Sequence, residues 1–312
     1  MIDSPHALAH EAARRLDQAS RQGEPLSVAA LAKGLGVTDR HLRRIFAKAH
    51  GVTPIDYLAT RRMLLAKQLL TDTPLPMTQV ALAAGFGSLR RFNTVFAERY
   101  RMSPGALRQG ARLDGPAQAA EPDRLTLRLA WRPPYDLEGV LRFFERRAIP
   151  GVEQVHATGM RRTLEVTHGG QRLSGWIGTA FDTDRHEVQV SIAPALAPAL
   201  PTLLARTRQA LDLDAEPTLI DAALSDMPGV PRPGVRLPSG WDGFEMAVRV
   251  ILGQQVTVAA AQTLTHRLVQ GFGRPVATPH AGLDRLFPDA DTLAAAPAES
   301  IGTLGIVRQR VR

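Results

Sequence analysis

The sequence predicts a multidomain protein: an all-α first third, an α+β middle and a second all-α region. Three observations predict this. A helix–turn–helix pattern occurs twice within residues 31–104. A period-two alternation of apolar residues sets in at Leu125. Helical periodicity returns after Gly234. The chain's 312 residues suffice for two or three domains.

In chain order, Ser4 and Pro5 predict the start of a helix that runs to about residue 20. The first copy of the repeat reads LAKGLGVTDRHLRRIFAKAHGVTP and the second VALAAGFGSLRRFNTVFAERYRMSP. Displaced by 50 residues, Leu42 falls on Phe92, Phe46 on Phe96, Ala47 on Ala97 and Pro54 on Pro104. Upstream of the turn the displacement is 49, Gly36 falling on Gly85, so the second copy carries one extra turn residue.

In copy one, Val28, Leu31, Ala32 and Leu35 form an apolar stripe that Gly36 ends. Thr38 is placed to cap the next helix, whose predicted buried face is Leu42, Ile45, Phe46 and Ala49. Arg40, His41, Arg43, Arg44 and Lys48 face outward. In copy two the buried face is Phe92, Val95 and Phe96, and Arg90, Arg91, Asn93 and Thr94 face outward. In a helix-turn-helix the second helix enters the major groove of DNA. Arginine suits guanine edges and phosphates, and asparagine pairs with adenine. Two helical hairpins with solvated arginine faces are the alternative. Duplication at fixed phase, with arginine on both outer faces, favours a paired binding device.

Thr53 and Pro54 open a further helix, with Asp56 at its third position. Ile55, Leu58, Leu65 and Leu69 are its predicted inner face, and residues 71–74 stop it. At roughly 16 residues it would be about 25 Å long by the α-helical rise. Such a spacer could seat two recognition helices in successive major grooves, about 34 Å apart.

Charge follows the same division. Residues 1–112 hold 17 basic and 8 acidic side chains, a net of +9; the remainder hold 21 and 22, a net of −1. The basic excess therefore lies with the duplicated unit, as phosphate neutralisation requires. The chain has no cysteine, so no disulfide or thiolate metal site, and a reducing cytoplasm is expected. No apolar run reaches membrane-spanning length, and residues 1–11 carry no signal-peptide pattern.

Residues 5–109 resemble an AraC-type DNA-binding domain. The resemblance rests on the paired glycine turns, the two arginine-and-phenylalanine helices, and the closing Thr53-Pro54 and Ser103-Pro104. It implies seven helices, two helix-turn-helix units and a linker helix, with sequence-specific binding to double-stranded DNA. Base readers are then implied among Arg40, His41, Arg43 and Arg44, and among Ser88, Arg90, Arg91, Asn93 and Thr94. A regulator of this type also implies RNA polymerase as a candidate partner.

Residues 110–124 are small, polar and Pro/Gly-bearing, as in a linker. LTLRLAW, TLEVTH, RLSGWIG and EVQVSI then alternate, predicting antiparallel strands with one buried face. Among them Asp136 can cap a helix with Leu137, Val140, Leu141 and Phe144 on one stripe. Phe143 lies roughly 100° off that stripe; it is either the edge of a wide buried face or a ligand contact. Asp242 and Glu245 form a capping-box pair, which fits helix capping better than catalysis. Phe244, Val248, Ile251 and Leu252 make one stripe and Ala261, Leu264, Leu268 and Phe272 another. Their phases differ by roughly 140°, so the helix must break near residues 253–257. That exposes Gln254 and Gln255 at a junction, either as a polar loop or as side chains able to enter a groove.

Residues 125–312 resemble AlkA-type 3-methyladenine DNA glycosylases. The resemblance is carried by WRPPYD at 131–136, by GVRLPSGWDGFEMAVRVILGQQVTVAAAQTLTHRLVQGFG at 234–273, and by LGIVRQR at 304–310. It implies a TATA-binding-protein-like α+β domain, then the start of an all-α helix-hairpin-helix glycosylase domain, with alkylated DNA as ligand. Phe143 is implied in the lesion-base pocket. Gln255 is implied at the position that wedges into the minor groove when the base is flipped, with Gln254 beside it. The family's hairpin and catalytic Asp are expected downstream of the 304–310 run, and Pro228, Gly229 and Val230 cannot replace them. No catalytic residue is therefore assigned, truncation is expected, and the chain is predicted inactive as given. The arrangement also resembles Ada-type alkylation-response proteins, without their cysteine-ligated methyl-acceptor domain.

The expected organisation is a double helix-turn-helix domain at 1–110, a linker at 111–124, an α+β domain at 125–205, and a partial glycosylase domain at 206–312. No metal, cofactor or membrane partner is expected. His6 and His10 share a helical face without a third ligand, and no phosphate-loop or zinc-protease motif occurs. Two functions stay open: alkylation-damage repair, or transcription regulation with a non-catalytic or effector-binding second half.

Overall fold

The computed structural model describes residues 4–22, 27–73, 75–114, 124–227, 229 and 233–306. The chain divides into two compact units, residues 1–121 with 198–203, and residues 122–197 with 204–312. Each is described by itself.

The first unit holds helices α1 (Pro5–Gln22), α2 (Val28–Gly34), α3 (Asp39–His50), α4 (Pro54–Asp72), α5 (Met77–Ala83), α6 (Leu89–Tyr100) and α7 (Pro104–Asp114). The repeat is visible in its caps. Thr38 and Ser88 each accept a backbone N–H of the third helical residue, from His41 and Arg91, both at 3.2 Å. Thr53 and Ser103 do the same for α4 and α7. Gly36 and Gly85 turn the chain at φ +70 and +79. Val37 N–H donates to Ala32 and Phe86 N–H to Ala81, so the residue added in the second copy is Gly87. Replacing Thr38 or Ser88 by alanine is expected to cost about 1 kcal/mol each, measured as a shift in the urea midpoint of the first unit.

Leu42 and Phe46 of α3 are fully buried with Ala9, Ala12, Leu16 and Leu31. Phe92 and Phe96 of α6 are likewise buried, and Phe86 packs edge-on to Phe92. Three expectations need correction. Ala49 is exposed, Val95 is only partly buried, and Ile55 is 53 % exposed. Helical phase fixes which side of a helix faces inward, not how far neighbouring helices extend along it. The buried face of α4 is Met63, Ala66, Leu69 and Leu70. That helix has 19 residues, against the roughly 16 expected, and is about 28 Å long by its rise. Pro74 lies outside the described residues.

The second unit opens with β1 (Leu125–Ala130), α8 (Leu137–Glu145), β2 (Glu153–His156), β3 (Gly159–His168), β4 (Gln171–Asp182) and β5 (Glu187–Ile192). The sheet order is β1-β5-β4-β3-β2, with every pair antiparallel. β2 is a short edge strand that alternation did not predict, and β3 and β4 outrun their predicted cores. β1 and β5 alternate as expected. The middles of β3 and β4 are buried on both faces, contrary to the single buried face expected. Both faces are covered there: Arg162 meets Glu245 on one side, while on the other Thr163 donates to the Arg285 carbonyl and Trp176 packs edge-on against His280.

After a short 3-10 turn come α9 (Leu200–Ala210), α10 (Pro217–Leu224), α11 (Gly243–Gly253), α12 (Val258–Phe272), α13 (Ala290–Ala295) and α14 (Ala298–Gly302). Asp136 caps α8, accepting from Gly139 N–H at 3.0 Å. Asp242 caps α11 through Glu245 N–H at 3.0 Å, but the Glu245 side chain turns inward instead of closing a box. The expected α11 stripe is also corrected: Phe244 and Ile251 are exposed, while Glu245 and Leu252 are buried. The break between α11 and α12 falls at residues 254–257, as the phase mismatch required. Residues 115–123 of the expected linker, Pro228, Val230 and residues 307–310 lie outside the described residues. Among those described, no helix is long and apolar enough to cross a membrane.

Candidate nucleic-acid interface

On α3, Arg40 and Arg44 are exposed, and His41 and Arg43 are partly buried. Arg43 is held by its own helix: Nε is 3.0 Å from Asp39 Oδ1 and Nη2 is 3.3 Å from Oδ2. Arg44 Nη2 lies 3.2 Å from His41 Nδ1. An exposed ion pair of this kind contributes about 0–1 kcal/mol, so exchanging Asp39 for a base edge or phosphate costs Arg43 little.

On α6, Ser88, Arg90, Arg91, Asn93 and Thr94 are all exposed. Two of these hydroxyls already serve the helix: Ser88 Oγ caps it, and Thr94 Oγ1 donates to Arg90 C=O at 3.1 Å. Arg40, Arg90 and Arg91 have no ion-pair partner among the described residues. The first unit therefore presents the predicted cations on two helices of matching length and cap.

The second unit contains a cavity of about 230 Å³ lined by α8, α11 and the start of α12. Phe143 lines it, with Phe144, Trp241, Met246 and Ala261. The Arg147 guanidinium sits 4.0 Å from the centre of the Phe143 ring. Burial, and then Arg146, lower the Arg147 pKa.

Four charged side chains also line the cavity, and Glu153, Arg162 and Glu245 among them are buried. Arg162 reaches Glu153 at 3.0 Å and Glu245 at 2.5 Å; Arg249 reaches Glu153 at 2.8 Å and Glu245 at 2.6 Å. The quartet is electrically balanced and ties β2 and β3 to α11. Burial pushes the Glu245 carboxyl up, but Arg162 and Arg249 outweigh it and hold the pKa below the ordinary carboxylate value. Arg249 is pushed up, its desolvation outweighed by Glu153 and Glu245.

Gln254 and Gln255 are exposed between α11 and α12. Gln254 N–H donates to Ile251 C=O at 3.4 Å, and Gln255 holds the left-handed conformation at φ 57. A non-glycine residue there is uncommon. Neither glutamine lines the cavity, but their neighbours Gly253 and Val256 do. Phe143 and the glutamine junction thus border one site. Arg147 and the charged quartet belong to it as well and were not foreseen. The spacing of Glu245 and Arg249 on one helix face was the available signal. Among the described residues, no group of three His, Asp or Glu side chains is placed to hold a metal ion.

Comparison with known proteins separates the same two halves. The family model described as a helix-turn-helix domain matches residues 31–110, and the AlkA N-terminal domain matches residues 126–242. The chain carries a helix-turn-helix domain of AraC type followed by an AlkA N-terminal domain. It is 37 % identical over 272 residues to the probable bifunctional transcriptional activator/DNA repair enzyme AlkA of Mycobacterium tuberculosis, covering 86 % of this chain and 54 % of that protein. It is 36 % identical over 187 residues to DNA-3-methyladenine glycosylase 2 of Escherichia coli, covering 58 % of this chain and 62 % of that protein. The helix-turn-helix domain is also similar to the transcriptional regulator GlxA of Rhizobium meliloti, 35 % identical over 85 residues, or 27 % of this chain and 26 % of that protein. The chain spans about half the length of the first curated relatives it matches. The AlkA N-terminal match ends at Asp242, the cap of α11, and it contains Phe143 and the buried Glu153 and Arg162.

Proposed function

We propose that this protein binds duplex DNA through α3 and α6 and serves the alkylation-damage response, coupling transcription regulation to base excision repair. The fusion itself carries the reading: a helix-turn-helix domain with two exposed arginine faces joined to an AlkA N-terminal domain. Arg40, His41, Arg43 and Arg44 on α3, and Ser88, Arg90, Arg91, Asn93 and Thr94 on α6, are the candidate readers. Phe143 is the candidate wall of a lesion-base pocket, with Gln254 and Gln255 as the candidate groove probe. RNA polymerase is the second partner this reading carries. The domain limits that go with it are 1–110, 125–205 and 206–312.

A gel-shift titration at physiological salt on a binding-selected duplex tests the first half. Arg43→Ala and Arg90→Ala are each expected to weaken specific binding by about 1–3 kcal/mol. Unchanged affinity in both variants counts against the assigned readers.

The second half is proposed to hold a base without cutting its bond. Glu153 and Glu245 are the buried carboxylates at the cavity, and each is held by two guanidinium groups. Neither offers a free negative charge to an oxocarbenium-like transition state. The 312-residue chain is expected to release no 3-methyladenine from alkylated duplex DNA, assayed by chromatography of the freed base. Measurable release would assign catalysis to this chain.

A further inference from the structure

Three imidazoles stand in a row where α1 meets the end of α3. His6 and His10 lie one helical turn apart on α1, and both are exposed. Their ring centres are 4.3 Å apart but their Nε2 atoms only 3.2 Å, so the rings turn these nitrogens toward each other. His50, the last residue of α3, packs edge-on against His10 at 5.3 Å. His50 is itself fixed. Its Nε2 lies 3.3 Å from the Ala9 carbonyl, and its ring rests against Phe46 at 4.5 Å and Tyr57 at 5.8 Å.

The 3.2 Å separation is that of a chelate. Two metal–nitrogen bonds of about 2.0–2.1 Å put their nitrogens roughly 2.9 Å apart at a right angle and roughly 3.3 Å apart at the tetrahedral angle. One proton can hold the pair together, as Nε2–H on one ring and a lone pair on the other. A metal ion replaces that proton and takes both lone pairs. Histidines four residues apart on one helix face have the spacing that zinc sites on helices use. His10 is already held between His6 and His50, so little ring freedom is lost on binding.

The surroundings set the class of ion. Glu11, beside His10 in sequence, is taken by Arg14 at 2.6 Å and Arg15 at 2.8 Å, so it is not a third ligand. Among the described residues no other His, Asp or Glu completes a group of three. Two neutral imidazoles suit zinc, nickel, copper and cobalt, whereas magnesium and calcium prefer oxygen ligands. Exposure leaves the remaining positions to water.

We propose that His6 and His10 chelate one divalent transition-metal ion, with water completing its coordination. The ion staples the first turns of α1. That helix shares a core with α3 through Ala9, Ala12, Leu42 and Phe46, so the ion stabilises the first unit as a whole. The site stands independently of the DNA-binding reading.

The test uses the untagged full chain, freed of metal by a chelator, with Zn2+, Ni2+ or Mg2+ chloride as the probe in titration calorimetry. Zn2+ and Ni2+ are expected to bind and Mg2+ is not. His6→Gln and His10→Gln should each weaken the tightest binding event at least about tenfold, since even outer-shell partners of a metal-bound histidine are worth about 10–100-fold. His168→Gln, on β3, should change nothing. Saturating Zn2+ should raise the urea midpoint of the first unit in the wild type and in neither ligand variant. Both histidines are exposed, so these variants are expected to fold as the wild type does. Equal affinity in the wild type and both variants overturns the chelate, and so does a midpoint that Zn2+ leaves unmoved. Loss of affinity in His168→Gln alone would place the ion elsewhere and overturn it too. Binding only at millimolar Zn2+ would mark an adventitious ion only, again overturning the site.

Discussion

Replacing Glu245 by alanine is expected to destabilise the second unit by about 3–5 kcal/mol, because it strands two buried guanidinium groups on one remaining carboxylate. Arg162 and Arg249 each span Glu153 and Glu245 at 2.5–3.0 Å, and Arg162, Glu153 and Glu245 are almost fully buried. Breaking such a network costs more than forming it gains, since the leftover charge has no water to turn to. Trp131, Trp176 and Trp241 all lie in the second unit, so tryptophan fluorescence in a denaturant titration reads the effect there. The same carboxylate gives a pH signature. Its folded pKa is depressed below 4.5, so its contribution is fully present above that value and is lost as pH falls through the folded pKa. Acid lability of the wild-type unit should therefore set in below pH 4.5, and the Glu245→Ala variant should lose part of that dependence.

Phe92→Ala is expected to cost the first unit about 3–5 kcal/mol. Phe92 is fully buried and lies between Phe86 of the turn and Phe96 of α6, with ring centres 5.4 and 5.5 Å away. Deleting it removes the contact that seats α6 on its turn. Far-UV circular dichroism in a denaturant titration should show the loss, and duplex affinity should fall with it. A stable variant with intact α6 would mean that the turn and the Ser88 cap alone hold this helix.

Local chemistry explains how much was legible in the sequence. Thr38, Ser88, Thr53 and Ser103 announce helix starts, and Gly36 and Gly85 announce turns, because each acts within a few residues of itself. The break at Gln254 and Gln255 was legible as a phase mismatch, and the off-stripe placement of Phe143 as an angle. What stayed hidden depends on distant partners. Arg162 and Glu245 are 83 residues apart, and a charged side chain on a strand reads as solvated until the helix that covers it is known. Ile55 has the right phase and remains exposed because no neighbour extends to it. The edge strand β2 is four residues long, too short to establish a period.

The central claim is that α3 and α6 engage neighbouring turns of one duplex. A methylation-protection footprint on a binding-selected duplex tests it most directly. Two protected guanine clusters are expected, about 10 base pairs apart on one face of the DNA, with Arg40→Ala erasing one and Arg90→Ala the other. A single protected cluster, or two clusters that both survive each substitution, would contradict it.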